Sequence, residues 1–153
     1  MITIADTRYE LAGFWVRVGA LLVDWIVQAI VAFAIFFVIG LAFTDWDQVD
    51  AGASSDETLG VAGAIGWLLY ILFSVSYYWW GYARGATPGK QALGLRIIRG
   101  DGSNPGIGAG FARLIGTWVS GVAVGLGYLW VAWDAKKQAW HDKMADTYVV
   151  RGG

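Results

Sequence analysis

The sequence predicts an all-α membrane protein, and three features of its composition carry that prediction. Of its 153 residues, 57% are hydrophobic and only 15% are charged, whereas soluble domains average about 25% charged residues. The chain has ten tryptophans, a residue type that concentrates at membrane–water interfaces. Long apolar segments also alternate with short charged ones. We therefore expect a single transmembrane domain over residues 1–153, with two apolar helices, a glycine-rich third segment and short cytoplasmic extended segments.

The first two predicted spans are long and nearly free of charge. Residues 14–43 contain only Arg17 and Asp24 as charged side chains, and residues 61–83 contain none. A helix needs roughly 20 apolar residues to cross the hydrocarbon core of a bilayer. Both segments meet that length, so the lipid bilayer is the first partner that the sequence predicts.

The third apolar segment, residues 111–133, allows two alternatives. Its glycines each lower helix propensity by about 1 kcal/mol relative to alanine. It forms either a third full span or a re-entrant hairpin that breaks near residues 125–127 and returns the tail to its starting side. The tail carries four basic residues, and basic segments favour the cytoplasmic side, which supports the re-entrant alternative. These basic residues are Lys136, Lys137, Lys143 and Arg151.

The charges also predict an orientation. Residues 44–60 hold five acidic side chains and no basic one, and no lysine or arginine occurs within residues 18–83. The positive-inside rule therefore places the N-terminus of this multi-pass protein and the segment after its second span in the cytoplasm. Two short alternating segments, residues 93–98 and 147–150, read as strands. They can pair only if the tail is also cytoplasmic.

Asp24 is the acidic side chain within the first predicted span. A charge at the centre of a bilayer costs on the order of 2.5 to 3.5 kcal/mol, so Asp24 requires a partner, a proton or a hydrated cavity. Arg17 lies seven residues earlier on the same helix face, and Arg113 begins the third segment. We expect one of these arginines to pair with Asp24. The carboxylate is then either an exchangeable proton or cation site or a fixed interhelical latch.

The segment Thr87-Pro88-Gly89-Lys90 has a superficial likeness to a phosphate-binding loop. Such a loop requires glycine where Arg84 stands and serine or threonine where Gln91 stands. We expect instead a tight turn centred on Pro88 and Gly89, with Lys90 as a candidate contact for an anion or lipid headgroup.

The residues that most enzymes need are scarce. The chain has no cysteine, and its one histidine, His141, is followed by Asp142 without a serine or cysteine nearby. These features lead us to expect no enzymatic activity, metal site, cofactor or nucleic-acid partner.

Several motifs occur in a fixed order along the chain. They are Ala12-Gly13-Phe14-Trp15 with Arg17 and Asp24, Thr87-Pro88-Gly89-Lys90 before Leu93-Gly94-Leu95-Arg96, then Arg113, and finally His141-Asp142-Lys143 before Thr147. Together they cover roughly residues 9–151, and on these motifs the sequence resembles the RDD family of membrane proteins. The arginine and two aspartates that name this family correspond to Arg17, Asp24 and Asp142. At Asp146 the chain departs from the family, in which glycine is common.

The resemblance implies a protein of the prokaryotic cytoplasmic membrane, and some members are regarded as sodium/proton exchangers. Two or three helices are too few to enclose a hydrated passage, whereas the Gly106/Gly110 and Gly121/Gly125 spacings allow close helix contacts. We therefore expect an oligomeric transporter of an ion or small solute. Its intramembrane site is Asp24, with Arg17, Arg113 and Asp142 setting the charge. The alternative is an accessory or assembly subunit of a larger membrane complex, without transport of its own.

Overall fold

The computed structural model describes residues 1–4, 6–44, 56–122 and 125–152, with only the backbone for residues 56–59. The elements in chain order are strands β1 (Ile2–Ile4) and β2 (Thr7–Tyr9), helices α1 (Phe14–Phe43), α2 (Asp56–Arg84) and α3 (Pro88–Ala92), strand β3 (Leu95–Arg99), helices α4 (Gly106–Val122) and α5 (Leu126–Leu129), a 3-10 turn (Trp130–Ala132), helix α6 (Trp140–Met144) and strand β4 (Thr147–Arg151). The acidic residues 45, 47 and 50 lie outside the described residues.

The chain divides into two compact units. The first contains Met1–Trp25 and Ser76–Gly153, and therefore holds the strands, the short helices and one end of each long helix. The second contains Ile26–Val75, which is the remainder of α1 and α2 with their connection.

Helices α1 and α2 confirm the two predicted spans. The first has the predicted bounds, and the apolar part of the second is Gly60–Arg84. Within the second unit, Phe36 packs edge-on against Trp67 with ring centroids 5.6 Å apart. Most large apolar side chains of both helices are exposed, as expected of helices surrounded by lipid.

The third apolar segment is bent. Helix α4 begins at Gly106, five residues before the predicted start, and the following helical segment Leu126–Ala132 is inclined to it by 110°. Gly125 begins the second segment with a left-handed backbone (φ 76°), which glycine adopts without strain. Because 17 residues of helix are only about 25 Å long, α4 falls short of a hydrocarbon core of about 30 Å. The geometry favours the re-entrant alternative.

Strands β3 and β4 pair antiparallel over five residues, from Leu95 opposite Arg151 to Arg99 opposite Thr147. The segment before α1 joins them, because the Ala12 amide donates to the Val149 carbonyl at 2.9 Å. Strands cannot pair across a bilayer, since unpaired backbone groups are not tolerated there. The segment before α1, the segment after α2 and the tail therefore lie on one side of the membrane.

An apolar core supports this strand layer. Ile4 from β1 packs with Ile98, Tyr148 and Val150. The β1–β2 hairpin was not predicted from the sequence; it turns at Asp6, whose φ is 63°. Asp146 also has a left-handed backbone, with φ 47°, which explains why glycine suits this position.

The expected tight turn at Pro88 and Gly89 is instead the first turn of helix α3. Thr87 is its N-cap and accepts a hydrogen bond from the Lys90 amide, while Pro88 stands where a helix needs no amide hydrogen. The helix ends before β3, which begins two residues later than predicted.

Single cysteines test the shared side of these segments, because the chain has no cysteine of its own. We expect Asp101→Cys and Lys136→Cys, both at exposed positions, to react with a membrane-impermeant thiol reagent from the same side of sealed vesicles. The charge pattern predicts that Ser54→Cys reacts from the opposite side. Labelling of Asp101→Cys and Lys136→Cys from opposite sides would show that the third segment crosses the membrane.

Candidate functional site

Asp142 is the centre of a buried charge cluster in the first unit. Helix α6 holds its fully buried carboxylate, and the Ala139 amide donates to Oδ2 at 2.9 Å. Arg17 Nη1 donates to the same oxygen at 2.5 Å, and Arg113 Nη1 lies 2.5 Å from Oδ1. Two guanidinium groups from α1 and α4 therefore meet on one carboxylate from α6.

Further hydrogen bonds hold the two arginines in place. Arg17 donates from Nε to the Ala12 carbonyl at 3.1 Å and from Nη2 to the Lys137 carbonyl at 2.6 Å. Arg113 also donates from Nη1 to Thr147 Oγ1 at 2.5 Å. Charge-assisted bonds of this kind are about twice as strong as neutral ones. The cluster therefore fixes α1, α4, α6 and β4 relative to one another.

The cluster determines the charge of Asp142. Burial acts to raise its pKa, but the guanidinium groups of Arg113 and Arg17 outweigh burial and hold the pKa below its usual range. Asp142 is therefore ionised at neutral pH. A carboxyl group with a depressed folded-state pKa stabilises the protein above its unfolded pKa, and this contribution is lost as the pH falls towards the folded value.

Asp24 is a second fully buried carboxylate, and its partners differ from those of Asp142. The Tyr77 hydroxyl donates to Oδ1 at 2.7 Å, the Gly89 amide donates to Oδ1 at 2.8 Å, and the Thr87 hydroxyl donates to Oδ2 at 2.6 Å. Among the ion pairs of the described residues, none involves Asp24. The carboxylate is held by neutral donors.

The expectation that Arg17 or Arg113 pairs with Asp24 is therefore wrong. Helical side chains point towards the N-terminus of their helix, and Arg17 reaches back to Ala12. Asp24 lies about 10 Å further along α1 in the opposite direction. Spacing placed both residues on one face but gave no information about the direction in which the long arginine side chain extends.

Gly89 is required by its close approach to Asp24. A Cβ at this position would lie 2.7 Å from Asp24 Cγ, well inside van der Waals contact. The absence of a side chain allows the backbone amide to reach the carboxylate. Of the three hydrogen bonds that described residues donate to Asp24, the motif Thr87-Pro88-Gly89-Lys90 thus supplies two.

A small cavity in the first unit is lined by Lys90 and by the two arginines that pair with Asp142. Its volume is about 40 Å³, more than the roughly 10–15 Å³ that one water requires. Its lining consists of Phe14, Arg17, Val18, Leu21, Tyr82, Lys90, Arg113, Tyr128, Val131, Ala139, His141 and Val149. The two tyrosines and His141 were not predicted as site residues, because no charge pattern or spacing distinguishes them in the sequence.

Lys90 connects the cavity to Asp24. Its ammonium Nζ lies 3.5 Å from Thr87 Oγ1, and Thr87 in turn donates to Asp24. Its Nζ also lies 5.3 Å from the centroid of the Tyr82 ring, a cation–π contact. Burial, with a further contribution from the charge of Arg113, lowers the pKa of Lys90 to about 8. The amine is thus close to exchanging its proton near neutral pH.

His141 lines the same cavity in its neutral form. Burial lowers its pKa from 6.5 to about 3, although the charge of Asp142 opposes that change. Its Nε2 lies 3.6 Å from Asp142 Oδ1, and its ring centroid lies 5.0 Å from that of Tyr128. Within the described part of the chain, no group of three or more histidine, aspartate or glutamate residues is arranged to hold a metal ion.

Gly110, which the sequence suggested for contacts between chains, makes a close contact within the chain. A Cβ at Gly110 would lie 2.7 Å from the Ala83 amide nitrogen, so Gly110 allows α4 to pack closely against the end of α2. Apart from the glycines' own chain neighbours and local helix backbone, no atom of the described residues lies within 4 Å of the Cβ positions of Gly106, Gly121 and Gly125.

Comparison with known proteins gives a family and several relatives. The RDD family profile matches residues 11–146. Two proteins of Bacillus subtilis (strain 168), the uncharacterized protein YxaI and the uncharacterized membrane protein YteJ, are 29% and 28% identical to the chain. Each alignment covers 91% of this chain, with 96% of YxaI and 80% of YteJ. No solved structure gives a significant match.

Removing the charge of Asp142 tests its structural importance. We expect Asp142→Asn to lower the free energy of unfolding by about 3 to 5 kcal/mol, because the buried guanidinium of Arg113 and the partly buried guanidinium of Arg17 lose their counter-ion. Glu10→Gln is the matched control, since Glu10 pairs with Arg151 at 3.5 Å while both side chains are 55% exposed. The control should cost at most about 1 kcal/mol. Denaturation in mixed micelles measures both, and equal losses would contradict the central role of Asp142.

The depressed pKa of His141 predicts an acid sensitivity. Because the unfolded chain binds a proton at about pH 6.5 and the folded chain does not, stability should fall below that pH by up to about 1.4 kcal/mol per pH unit. His141→Gln should flatten this slope between pH 6.5 and 5. Unfolding measured across this range in wild type and variant provides the test, and identical slopes would count against a neutral, buried histidine.

Proposed function

Because the chain belongs to the RDD family of integral membrane proteins, we propose that it exchanges a proton or small cation across the membrane, with Asp24 as the exchangeable site. This makes the protein a transporter rather than an enzyme. It would act in the cytoplasmic membrane, with its N-terminus in the cytoplasm. The proposal rests on one observation above all, the buried carboxylate of Asp24 that no cation neutralises among the described residues.

The contrast between the two buried aspartates supports this assignment. Asp142 forms ion pairs with two arginines at 2.5 Å, as expected of a carboxylate that holds helices together and does not exchange its partners. Asp24 has three neutral donors instead. An ionised carboxylate buried in a membrane is costly without a cation, so Asp24 has a driving force to take up a proton or a cation. Asp142 has no such requirement.

The position of Asp24 also suits exchange. It lies ten residues beyond Phe14 in α1, or about 15 Å along the helix, and intramembrane carboxylates at such depth mark ion and proton pathways. Thr87 and Lys90 give a route from the cavity, because a proton passing from the ammonium to Thr87 releases the hydroxyl proton of Thr87 to Asp24 Oδ2.

An oligomer follows from the number of helices. Two spans and a bent third segment are too few to enclose a hydrated passage, and transporters usually form the substrate site where several helices meet. Trp25, Trp118 and Val122 are exposed apolar side chains in the first unit and are available for contacts with lipid or with further copies.

Reconstitution into vesicles tests the proposed activity. A sodium gradient across vesicles containing the wild type should drive proton movement, followed by an internal pH dye. We expect Asp24→Asn to reduce the rate at least tenfold, since an amide cannot exchange a proton in this range. Asp101→Asn is the matched control, because it makes the same chemical change on an exposed loop residue, and it should retain the wild-type rate.

The outcomes distinguish transport from the alternative. Wild-type flux no faster than that of Asp24→Asn would overturn the exchange proposal. If gentle detergent extraction also recovered a different membrane protein in fixed stoichiometry, the chain would be an accessory or assembly subunit. A closed homo-oligomer with Asp24-dependent flux would support the transporter.

A further inference from the structure

The charged side chains that line the cavity of the first unit are basic. Three cationic side chains reach it, from α1, α3 and α4 respectively, and no acidic side chain lines it among the described residues. These are Arg17, Lys90 and Arg113. A concave site that gathers cations from three separate elements has the geometry of an anion site.

The neighbouring carboxylates do not balance these cations. Asp142 is shared between the two arginines, and the hydrogen bonds that Asp24 accepts from described residues come from neutral donors. No carboxylate oxygen of the described residues lies within 4.0 Å of Lys90 Nζ, although Lys90 is only 6% exposed. Of the three cations, Lys90 is therefore the one without a carboxylate partner among the described residues.

An unused hydrogen-bond donor adds a second, independent observation. Arg113 is 1% exposed, and its Nε has no hydrogen-bond partner among the described residues, while its Nη1 is occupied by Asp142 and Thr147. Buried guanidinium donors are rarely left unpaired, because the loss of hydration is then uncompensated. Within the described ranges, the Lys90 ammonium likewise makes one hydrogen bond, to Thr87 at 3.5 Å, out of the three it can donate.

The dimensions restrict what fits. A cavity of about 40 Å³ holds only a few water-sized groups, and apolar side chains such as Phe14, Leu21 and Val131 form the rest of its wall. An organic substrate is too large, and a weakly hydrated ion loses less on entering such a site than a strongly hydrated one. The single uncompensated charge matches a single negative charge.

We propose that this cavity binds one small monovalent inorganic anion of the chloride class, held by Lys90 and Arg113 with Arg17 beside them. The site is separate from Asp24, and anion binding does not depend on cation exchange. It gives Lys90 a role that differs from that of a contact for lipid headgroups.

Equilibrium dialysis of radiolabelled chloride against the purified protein in detergent tests the proposal directly. Sodium concentration and ionic strength are held constant with sodium gluconate. We expect saturable binding of one chloride per chain in the wild type. Lys90→Gln should weaken the affinity at least tenfold, whereas the control Lys136→Gln, which removes an exposed lysine, should leave it unchanged.

A second measurement, on the wild type alone, tests the proposal even if Lys90→Gln does not fold. Replacing gluconate with chloride should raise the unfolding temperature of the wild type in a saturable manner, since a ligand that binds only the folded state stabilises it. Absence of saturable chloride binding to folded wild type would overturn the proposal, as would unchanged affinity in folded Lys90→Gln. Inorganic phosphate or a soluble phospholipid headgroup competing as well as chloride would overturn the assignment to a small monovalent anion.

Discussion

The first unit depends on the carboxylate of Asp142 with its two arginines. Arg17 lies near the start of α1, Arg113 lies in α4, and Asp142 itself belongs to α6. Each guanidinium is too costly to bury alone, so neither helix can take its place independently of the short helix that carries the carboxylate. The bend after α4 follows from this requirement, because α6 must return to the end of α1 from which the chain entered. The pairing of β3 with β4 holds the C-terminal segment in the same place.

Both aspartates are fully buried within the first unit, but their partners differ. The arginines form ion pairs with Asp142, while Tyr77 of α2, Thr87 and Gly89 of α3 donate hydrogen bonds to Asp24. This division explains how an apolar protein buries several charges within a short distance. The arginines pair with Asp142, whereas Asp24 and Lys90 are joined through the Thr87 hydroxyl by hydrogen bonds.

The sequence predicted the elements that depend on local properties. The bounds of α1 and α2 follow from length and hydrophobicity, and the break at Gly125 follows from glycine content. It also singled out Arg17, Arg113 and Asp142, which form one cluster, and Asp24, which has other partners, but it assigned the arginines to the wrong aspartate. That pairing joins residues 125 positions apart and depends on side-chain direction, which spacing does not contain. The capping role of Thr87 was missed because Pro-Gly usually indicates a turn, whereas here Thr87 and Pro88 begin a short helix.

The 125 positions between Arg17 and Asp142 have a consequence for biogenesis. Chains are synthesised at roughly 5 to 20 residues per second, so α1 enters the membrane on the order of ten seconds before the carboxylate for its arginine leaves the ribosome. During that interval Arg17 must remain at the lipid headgroups or be shielded by the insertion machinery. The final docking of α6 is thus a post-insertion event, and a ribosome stalled before residue 142 would expose a nascent protein with both long helices in place and its arginines still hydrated.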